Sequence, residues 1–599
     1  MKKFNFYFYL FLSLAIAFII RIYVSDSLLH TDISIAYPFS YTDMATYKKL
    51  AIEVSRNICP APNHYQPFYY YVFLANIFRY IGTDIGYIIL IQSLLGVLTV
   101  LFSALAAKSL WDKKAGFIAA ILVTFSHVLI FYTPYMLIVT LQAFWLSFIL
   151  YLSILACKRH NIAIYFLLGV VTGCSILTRG NMWILVPIFI VLAIYSGVKK
   201  YLYSEKRRPI TILIPAVILM ISLILPQIPF IIQNSIQAKS LRGASNAGVV
   251  VFGLGNMPDS PPGGLKYTPI YNAWVTKNNG ADFSEKFYNY TKNNKLSYLD
   301  QLVNKLLLFW DYREIPNNTN INLLAKKNSI LKIGFATTPI IIILGLSGLF
   351  LFFSFRKKNL IYLLPMFIVF FYWISISLFY ILARFRAPLI PVLSVYAGGF
   401  LSYVLFTKQK YIFRKWLTTL LLLLISIYIT YFLYNAYYLE FEPYISKEIR
   451  PYGTMINIKN SIQINDNAPM MHKGWRYFRL KNNDQIIKFF KLKDINIIKS
   501  KSGKLVIPIF ANSPSNLKLS INGVKYNYDL KEGNQNIDIS CPLNYSKKDS
   551  TLVFKIKILE TTGLQFFLLD KQRQYNRTII NNRIPLSELV AKLIIPSSK

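Results

Sequence analysis

Acidic side chains are scarce in this chain, which has 26 Asp and Glu residues against 65 Lys and Arg residues among 599. Only 15% of the residues are charged, whereas soluble domains carry about 25%. This composition argues against an ordinary soluble domain. The five histidines form no His-x-x-x-His pair, which excludes the common zinc-hydrolase motif. The four cysteines fit no metal-binding spacing, and we predict no disulfide framework.

Apolar runs are abundant instead, since 55% of the residues are hydrophobic. A helix needs about 20 apolar residues to cross the hydrocarbon core of a bilayer. We therefore predict a mainly α, polytopic membrane protein with about eleven transmembrane helices. The predicted spans lie near residues 4–24, 84–107, 115–133, 135–156, 161–178, 182–198, 209–232, 330–354, 360–381, 387–406 and 415–437.

Basic residues cluster in alternate short loops between these spans. Segments rich in Lys and Arg stay in the cytoplasm in multi-pass proteins. Such segments lie at residues 2–3, 108–114, 158–159, 199–208, 356–358 and 408–415. All six fall on one side of the predicted membrane. We therefore predict a cytoplasmic N-terminus and, with an odd number of spans, an extracytoplasmic C-terminal region.

The net charge of +39 is compatible with nucleic acid or with anionic membrane lipids as partners. No reader motif for nucleic acid is visible, and many of the basic residues act as topology signals. We therefore expect contact with membrane lipids and no nucleic acid.

The spans divide the chain into a transmembrane domain at 1–437 and an extracytoplasmic domain at 438–599. Two long outer loops, 25–83 and 233–329, belong to the transmembrane domain. In the first loop, apolar residues recur at helical spacing between positions 44 and 54, which predicts an amphipathic helix. The second loop has stretches rich in Gly, Pro and Asn, which predict no regular element. These stretches lie at 240–248 and 253–264.

The C-terminal domain differs in its periodicity. Apolar and polar residues alternate at 517–521 and at 524–530, on either side of the dipeptide Asn522-Gly523. An Asn-Gly pair between two alternating runs predicts a β-hairpin. Further strand-like runs lie at 504–510 and 551–559. Short strands in this number predict a β-sandwich-like domain.

Asp43 lies in the first outer loop, just after the first span. A carboxylate near the membrane surface can act as a general base on an acceptor hydroxyl. His64 and Gln66 follow a short distance along the loop and are candidates for holding an acceptor or a lipid phosphate. The alternatives are a helix N-cap for Asp43 and an ordinary polar turn for His64. Asp26 and Asp32 are rival acids in the same loop.

Arginines occur in short outer turns, where the distribution of basic residues in membrane proteins disfavours them. Arg179 follows the fifth predicted span, and Arg384 and Arg386 lie between the ninth and the tenth. An arginine at membrane depth is costly and usually has a partner, and its planar guanidinium suits a phosphate. We predict that these arginines clamp a lipid-linked phosphate. Snorkelling to the interface, or pairing with Asp43, is the alternative.

Glu314 precedes the eighth predicted span, near the end of the second outer loop. A carboxylate in this place can bind a metal or a sugar hydroxyl, and a salt bridge or a helix-end contact is an equal alternative. The sequence indicates no certain cofactor, and a divalent cation stays open.

The order of these features resembles the bacterial membrane glycosyltransferases of the GT-C fold. The likeness is greatest to family 39, the protein mannosyltransferase and aminoarabinose transferase group, and extends over residues 1–435. Six short pieces match in the same order, at 43–47, 67–71, 177–179, 255–258, 314–317 and 384–388. One departure lies in the segment 135–144, which has no acid where family members often carry one early in the fourth span.

The resemblance implies transfer of a sugar from a polyprenyl-phosphate donor to an envelope glycan, a lipid or a protein. The reaction would take place on the outer side of the bacterial cytoplasmic membrane. In this scheme Asp43 is the catalytic base, and the donor-phosphate ligands are Arg179, Arg384 and Arg386. The substrate-binding candidates are His64, Gln66, Tyr47, Asn256 and Glu314.

Two other functions are compatible with the sequence. A polymerase or ligase of lipid-linked glycans would share the outer arginines but need not use Asp43. A non-enzymatic transporter of lipid-linked glycans would place polar or charged residues inside its spans. Most charges in this chain lie in loops and at span ends instead, which argues against the transporter.

Overall fold

A computed structural model describes the chain in several stretches. They are residues 5–32, 35, 38, 42–58, 66–203, 209–245, 248–265, 267–276, 282–319, 321, 325, 328–332, 336–354, 360–406, 412–438, 454–458, 461–465, 475–479, 481–491, 502–511, 513–546, 551–561, 564–569, 578–580, 588–589 and 592–596. The prediction made for His64 lies outside these residues, as does Cys59, one of the four cysteines.

The N-terminal part is helical, as its apolar composition predicts. In the part of the chain that the structure describes, six helices are long and apolar enough to cross a membrane: Phe6–Leu29, Ile85–Leu110, Val139–Arg159, Gly180–Leu202, Ile214–Ala238 and Ala383–Phe406. Four shorter apolar helices are Ile162–Thr178, Thr338–Phe353, Leu363–Ser377 and Trp416–Tyr431. These helices confirm the mainly α, multi-pass class, while the number of eleven spans stays a prediction.

The third predicted span, 115–133, is not a single helix. The helix Lys113–Thr124 has only 12 residues, and a second helix, His127–Tyr132, follows it. Between them Ser126 has an extended backbone, with φ −62° and ψ 113°, which interrupts the helical hydrogen bonds. A helix of that length is shorter than the approximately 20 residues that a bilayer core requires.

The two outer loops contain the helices that frame the candidate site. The amphipathic helix predicted for the first loop is confirmed as Asp43–Ser55, and a π-helix at Phe68–Leu74 continues into Ala75–Tyr80. In the second loop, helices run over Gly248–Asn256, Phe283–Asn293 and Lys295–Trp310. The prediction of no regular element at 253–264 is wrong at its start, because residues 253–256 belong to the helix Gly248–Asn256.

Further short helices are Pro209–Ile212, Pro269–Tyr271, Asn272–Thr276, Ser329–Lys332, Ala383–Arg386, Ala387–Leu389 and Leu433–Tyr437. The chain forms two compact units. One contains Met1–Ser25 and Tyr47–Tyr444, and the other contains Asp26–Thr46 and Ile445–Lys599. The sequence analysis grouped residues 26–46 with the first outer loop, whereas the structure groups them with the C-terminal strands.

The C-terminal unit contains two antiparallel sheets. The strands are β1 Thr454–Ile458, β2 Ser461–Asn465, β3 Trp475–Arg479, β4 Gln485–Lys491, β5 Ser502–Ala511, β6 Ser515–Ile521, β7 Val524–Leu530, β8 Gly533–Pro542, β9 Asn544–Ser546, β10 Thr551–Thr561, β11 Leu564–Leu569, β12 Thr578–Ile580, β13 Glu588–Leu589 and β14 Lys592–Pro596. The larger sheet has the order β1-β2-β14-β5-β11-β13, and in addition β3 pairs with β11 and β8 pairs with β5. The smaller sheet has the order β12-β4-β10-β6-β7, and β9 pairs with β10.

Alternate residues of both sheets share one core. Buried side chains such as Leu505 and Ile507 of β5 pack in the same cluster as Leu519 of β6 and Phe554 of β10. The predicted hairpin joins β6 to β7, with Ile521 opposite Val524. Asn522 and Gly523 both have positive φ, 49° and 93°, as the two central residues of a tight hairpin turn require. The hairpin predicted from the Asn-Gly pair between two alternating runs is therefore confirmed.

Candidate functional site

The segment 378–383 leads to two of the predicted arginines, and the second outer loop holds it on both sides. The amide of Ile381 donates to the carbonyl of Pro262 at 3.1 Å, and the amide of Gly264 donates to the carbonyl of Ile381 at 3.0 Å. On the other side, the amide of Ala383 donates to the carbonyl of Ile315 at 2.9 Å. The loop thus fixes the backbone just before the helix Ala383–Arg386.

Arg386 is bound by oxygens of the same loop. Its guanidinium donates to the backbone carbonyls of Phe309, at 3.1 Å, and of Asp311 and Arg313. It also pairs with the Glu314 carboxylate at 3.1 Å, and both side chains are nearly buried. These bonds favour a role for Arg386 and Glu314 in holding the loop, in place of contacts with a phosphate or a sugar.

Arg179 and Arg384 have different surroundings. The two guanidinium carbons lie 3.9 Å and 5.2 Å from the centre of the Phe385 ring, within the range of cation–π attraction. Each side chain is 8% exposed. Arg179 directly follows the helix Ile162–Thr178, and its amide donates to the carbonyl of Ser175 at 2.8 Å. Two cations from distant parts of the chain therefore meet at one aromatic ring.

Tyrosine hydroxyls surround these two cations. Tyr372 donates to the carbonyl of Phe385 at 2.9 Å and interacts with the guanidinium of Arg179. Arg179 also interacts electrostatically with Tyr47, and Arg384 does so with Tyr132. A tyrosine hydroxyl can donate a hydrogen bond without adding negative charge. The cluster thus combines two positive charges with hydroxyl groups that add no negative charge, which suits an anionic oxygen.

Asp43 is the first residue of the helix Asp43–Ser55, and Thr42 caps that helix. The Thr42 hydroxyl accepts from the amide of Ala45 at 3.3 Å. Tyr47 lies one turn further along the helix, and residues four apart share a helix face. The Tyr47 ring is 2% exposed and meets the Tyr69 ring edge-on at 5.1 Å. The position of Asp43 at the helix start is confirmed, but the Thr42 hydroxyl is the side chain that caps the helix.

Gln66 has an unusual backbone conformation, with φ of 56°. Such left-handed backbone is uncommon for residues other than glycine and is often found at functional sites. The Gln66 side-chain oxygen is buried and has no hydrogen-bond partner among the residues that the structure describes. A buried acceptor without a donor is rare in folded proteins, and a ligand hydroxyl would satisfy it. These two features favour the predicted substrate contact, which stays a prediction.

Asn256 is engaged by the protein at both ends of its amide. Its nitrogen donates to the carbonyls of Phe252 and Leu378, each at 2.8 Å. Its oxygen accepts from the ammonium of Lys305 at 2.9 Å and from the hydroxyl of Tyr298 at 3.3 Å. With 0% exposure, the side chain has no polar atom left for a substrate. We therefore assign Asn256 a structural role.

Lys305 is a residue that the sequence analysis missed. It lies in the helix Lys295–Trp310 and is fully buried, although it is charged in its ordinary state. The signal was its spacing, because Leu308 and Phe309 lie three and four residues later on the same helix face and are buried as well. A lysine on an apolar helix face predicts a bonded, buried cation.

No group of three His, Cys, Asp or Glu side chains close enough to hold a metal occurs among the residues that the structure describes. In the segment that lacks the family acid, Gln142 donates through its side-chain nitrogen to the hydroxyl of Ser175 at 3.0 Å. The helix that contains Gln142 is thereby joined to the helix Ile162–Thr178, which Arg179 follows.

Residues 65–230 match the family model described as dolichyl-phosphate-mannose-protein mannosyltransferase. No curated protein sequence matches the chain. Among solved structures, the chain is similar to the Archaeoglobus fulgidus oligosaccharyltransferase in the apo form, with 16% identity and a TM-score of 0.38. That match covers 73% of this chain and 56% of the other.

Two further structures are similar at the same level. The Archaeoglobus fulgidus oligosaccharyltransferase AglB in complex with an inhibitory peptide and a dolichol-phosphate is 18% identical, with a TM-score of 0.37 and coverage of 72% of this chain and 55% of that chain. ArnT from Cupriavidus metallidurans bound to undecaprenyl phosphate is 14% identical, with a TM-score of 0.36 and coverage of 68% and 62%.

The chain thus spans a little over half the length of the archaeal structures that it matches. The matched residues 65–230 include Gln66 and Arg179 but end before Arg384. Over this region, the family match confirms the resemblance to the protein mannosyltransferase group that the sequence motifs predicted.

Proposed function

We propose that this chain is a membrane glycosyltransferase that moves a sugar from a polyprenyl-phosphate-linked donor to an acceptor on the outer side of the cytoplasmic membrane. The observation that carries the proposal is the pair of nearly buried arginines, Arg179 and Arg384, whose guanidinium groups both lie beside the Phe385 ring. The description of the matching family, which names dolichyl-phosphate-mannose, supports the donor class.

In the proposed mechanism, Arg179 and Arg384 bind the donor phosphate. Negative charge grows on that phosphate as its bond to the sugar breaks, and fixed cations in a site of low water content stabilise it. Tyr132 interacts with Arg384 and Tyr372 with Arg179, so both tyrosines belong to the same site. Arg386 has a different part in this scheme, because its bonds to loop oxygens hold the short helix that presents Arg384.

Asp43 is the proposed general base, which takes the proton of the acceptor hydroxyl as that oxygen attacks the sugar. A single displacement of this kind inverts the anomeric configuration. The orphan oxygen of Gln66 would accept a hydrogen bond from a substrate hydroxyl, and His64 would help to position the same substrate. Asp26 and Asp32 are the acids to test next if Asp43 proves dispensable.

The decisive experiment incubates purified protein with a polyprenyl-phosphate sugar carrying a radiolabel. The proposal requires release of unlabelled polyprenyl phosphate and appearance of the label in an acceptor fraction. Mass spectrometry of glycolipids, envelope polysaccharide and surface proteins from a deletion strain would identify the acceptor. A lipid-glycan carrier would instead move the intact labelled donor across vesicles without breaking it.

A further inference from the structure

The buried ammonium of Lys305 lies in a cage of three oxygens. It donates to the carbonyl of Gly255 at 3.0 Å, to the side-chain oxygen of Asn256 at 2.9 Å and to the carbonyl of Phe379 at 3.0 Å. A protonated lysine has three N–H donors, so the cage satisfies all of them. The three acceptors are neutral, and dipoles of the protein stabilise the charge in place of a carboxylate.

This cage joins the second outer loop to the segment that carries the arginines. Phe379 lies in the stretch that continues through Ile381 to the helix Ala383–Arg386, and Lys305 lies in the loop helix Lys295–Trp310. The bonds of Ile381 and Ala383 to the loop follow directly after Phe379. A displacement of Phe379 would therefore pass along a short, extended backbone to Arg384.

Gly255 permits the close approach on which the cage depends. A Cβ atom at this position would lie 2.1 Å from the carbonyl oxygen of Phe379, far inside van der Waals contact. The helix Gly248–Asn256 therefore packs directly on the backbone of Phe379, and Lys305 donates to the carbonyls of both backbone segments at this point. A side chain at position 255 would displace the backbone of Phe379. The position of Phe379 therefore depends on these contacts.

We propose that Lys305 is a positioning residue of the donor-phosphate site, which sets the place of Arg384 through its bond to Phe379. This inference rests on the proposed function, because it gives the arginine a phosphate to bind. Lys305 itself touches no substrate in this scheme, since it is fully buried among loop residues.

The protonation state of the cage provides a second readout. Burial lowers the pKa of Lys305 to about 7 from its ordinary value of 10.5. A neutral amine has only two N–H groups for the three acceptors, so one bond of the cage is lost as the pH rises through this value. We expect the donor-phosphate site to loosen on the alkaline side of neutrality.

Among the residues that the structure describes, few other titratable groups face Lys305. On its own helix, Tyr298 donates to the same Asn256 oxygen, and burial raises the pKa of that tyrosine, so it stays neutral in this range. Next to Phe379 lies Tyr380, which interacts with Arg179. The helix Gly248–Asn256 has no titratable side chain. The expected pH dependence therefore belongs to Lys305.

The same pKa makes activity and stability change in opposite directions. The pKa of Lys305 in the folded protein lies below its value in the unfolded chain, so the unfolded chain binds more protons between about pH 7 and 10.5. The free energy of unfolding therefore rises with pH in this window, as far as this group contributes. A fall of activity over the same window is then not a consequence of unfolding.

The first test compares Lys305→Met with Lys295→Met, a control at an exposed lysine of the same helix. At pH 6.5 we expect kcat/KM for a polyprenyl-phosphate sugar to fall on the order of 10–100-fold in Lys305→Met, because small displacements of a catalytic cation have effects of this size. The wild-type activity should fall between pH 6.5 and 8.5, and the Lys305 variant should lack this step. The control should match wild type in both respects.

The second test needs no activity and no substrate. Hydrogen–deuterium exchange of the Ile381 and Ala383 amides, corrected for the intrinsic pH dependence, measures the bonds between the segment and the loop directly. Exchange should be faster in Lys305→Met and in Gly255→Ala than in wild type, and it should increase in wild type above about pH 7. Unchanged exchange in both variants together with a flat wild-type profile would overturn the inference.

The two tests separate this inference from the proposed function. Absence of donor turnover in wild type counts against the glycosyltransferase, and the exchange measurement still decides the role of Lys305. If Lys305→Met does not fold, the wild-type exchange profile and Gly255→Ala remain as tests. An activity loss in Lys305→Met with normal exchange and an unshifted pH profile would contradict positioning through Phe379.

Discussion

The unit of apolar helices (the membrane unit) and the C-terminal unit of strands (the β unit) contain charged side chains that are stabilised in opposite ways. In the membrane unit, Arg386 and Lys305 are almost fully buried and bind mainly backbone carbonyls. In the β unit, Lys518 and Glu560 form a pair in which both side chains are about half exposed. Water stabilises the charges of the exposed pair, whereas hydrogen bonds to protein oxygens must stabilise the buried charges of Arg386 and Lys305.

This difference indicates where the charges have a function. Burial of a charge is costly unless it is bonded on all sides, and a chain retains such groups chiefly at sites of recognition or chemistry. Exposed pairs such as Lys518 and Glu560 contribute only about 0–1 kcal/mol to stability. We therefore expect substitutions in the two regions to differ in kind as well as in size.

The largest effect is expected at the arginines beside Phe385. Arg384→Met and Arg179→Met each remove one cation from the proposed phosphate site, which should lower the rate of sugar transfer on the order of 100–1000-fold. Thermal unfolding of the detergent-solubilised protein should change little in Arg384→Met. Transfer within threefold of wild type in both variants would exclude these residues from donor binding.

Arg386→Met should mainly lower the stability of the protein, whereas the substitutions beside Phe385 should mainly lower the rate of sugar transfer. It leaves the Glu314 carboxylate and three backbone carbonyls without their donor, and the loss of one partner of a buried ion pair costs about 3–5 kcal/mol. We expect a clearly lower midpoint of thermal unfolding and faster hydrogen exchange at residues 309–314. A stable Arg386→Met protein that has lost only activity would show that Arg386 acts in the same way as Arg384.

A smaller effect is expected in the hairpin of the β unit. Gly523 has φ of 93°, and a side chain there strains the turn, so Gly523→Ala should cost about 1 kcal/mol of folding stability. Sugar transfer should be unaffected if the β unit takes no part in the chemistry. A combined loss of transfer and normal stability would assign this unit a role in substrate binding.

The smallest effect is expected at the exposed pair. Replacement of Lys518 or Glu560 by alanine should change stability by less than about 1 kcal/mol and leave activity unchanged. Thermal unfolding in low and high salt would check this, because screening should erase even that difference. A large loss would show that exposure alone does not separate the two kinds of charge.

Periodicity predicted most of the secondary structure. The amphipathic helix at Asp43–Ser55 and the hairpin at Asn522-Gly523 were recognisable, because each follows from local spacing or turn chemistry. The break at Ser126 was not recognised, since serine carries no strong breaking signal within an apolar run. Grouping of residues 26–46 with the C-terminal strands depends on contacts distant in sequence, which no local pattern reveals.

The sequence predicted which residue types form the candidate site, but not which role each residue has in it. Arg384 and Arg386 are two residues apart and look equivalent in the sequence, yet Arg386 binds loop oxygens and Arg384 lies beside Phe385. Asn256 looked like a substrate ligand because its neighbours resemble a family motif, but its amide is fully bonded within the protein. The partner Glu314 of Arg386 and the partner Lys305 of Asn256 lie 72 and 49 residues away in the sequence, and these contacts appear only in the folded structure.

The central claim is tested most directly by donor cleavage in purified protein, measured for wild type, Arg384→Met and Asp43→Asn with a labelled polyprenyl-phosphate sugar. The account predicts release of polyprenyl phosphate by wild type and loss of that release, without loss of folding, in both variants. Equal release by all three proteins, or none by folded wild type across a panel of polyprenyl-phosphate sugars and acceptors, would contradict it.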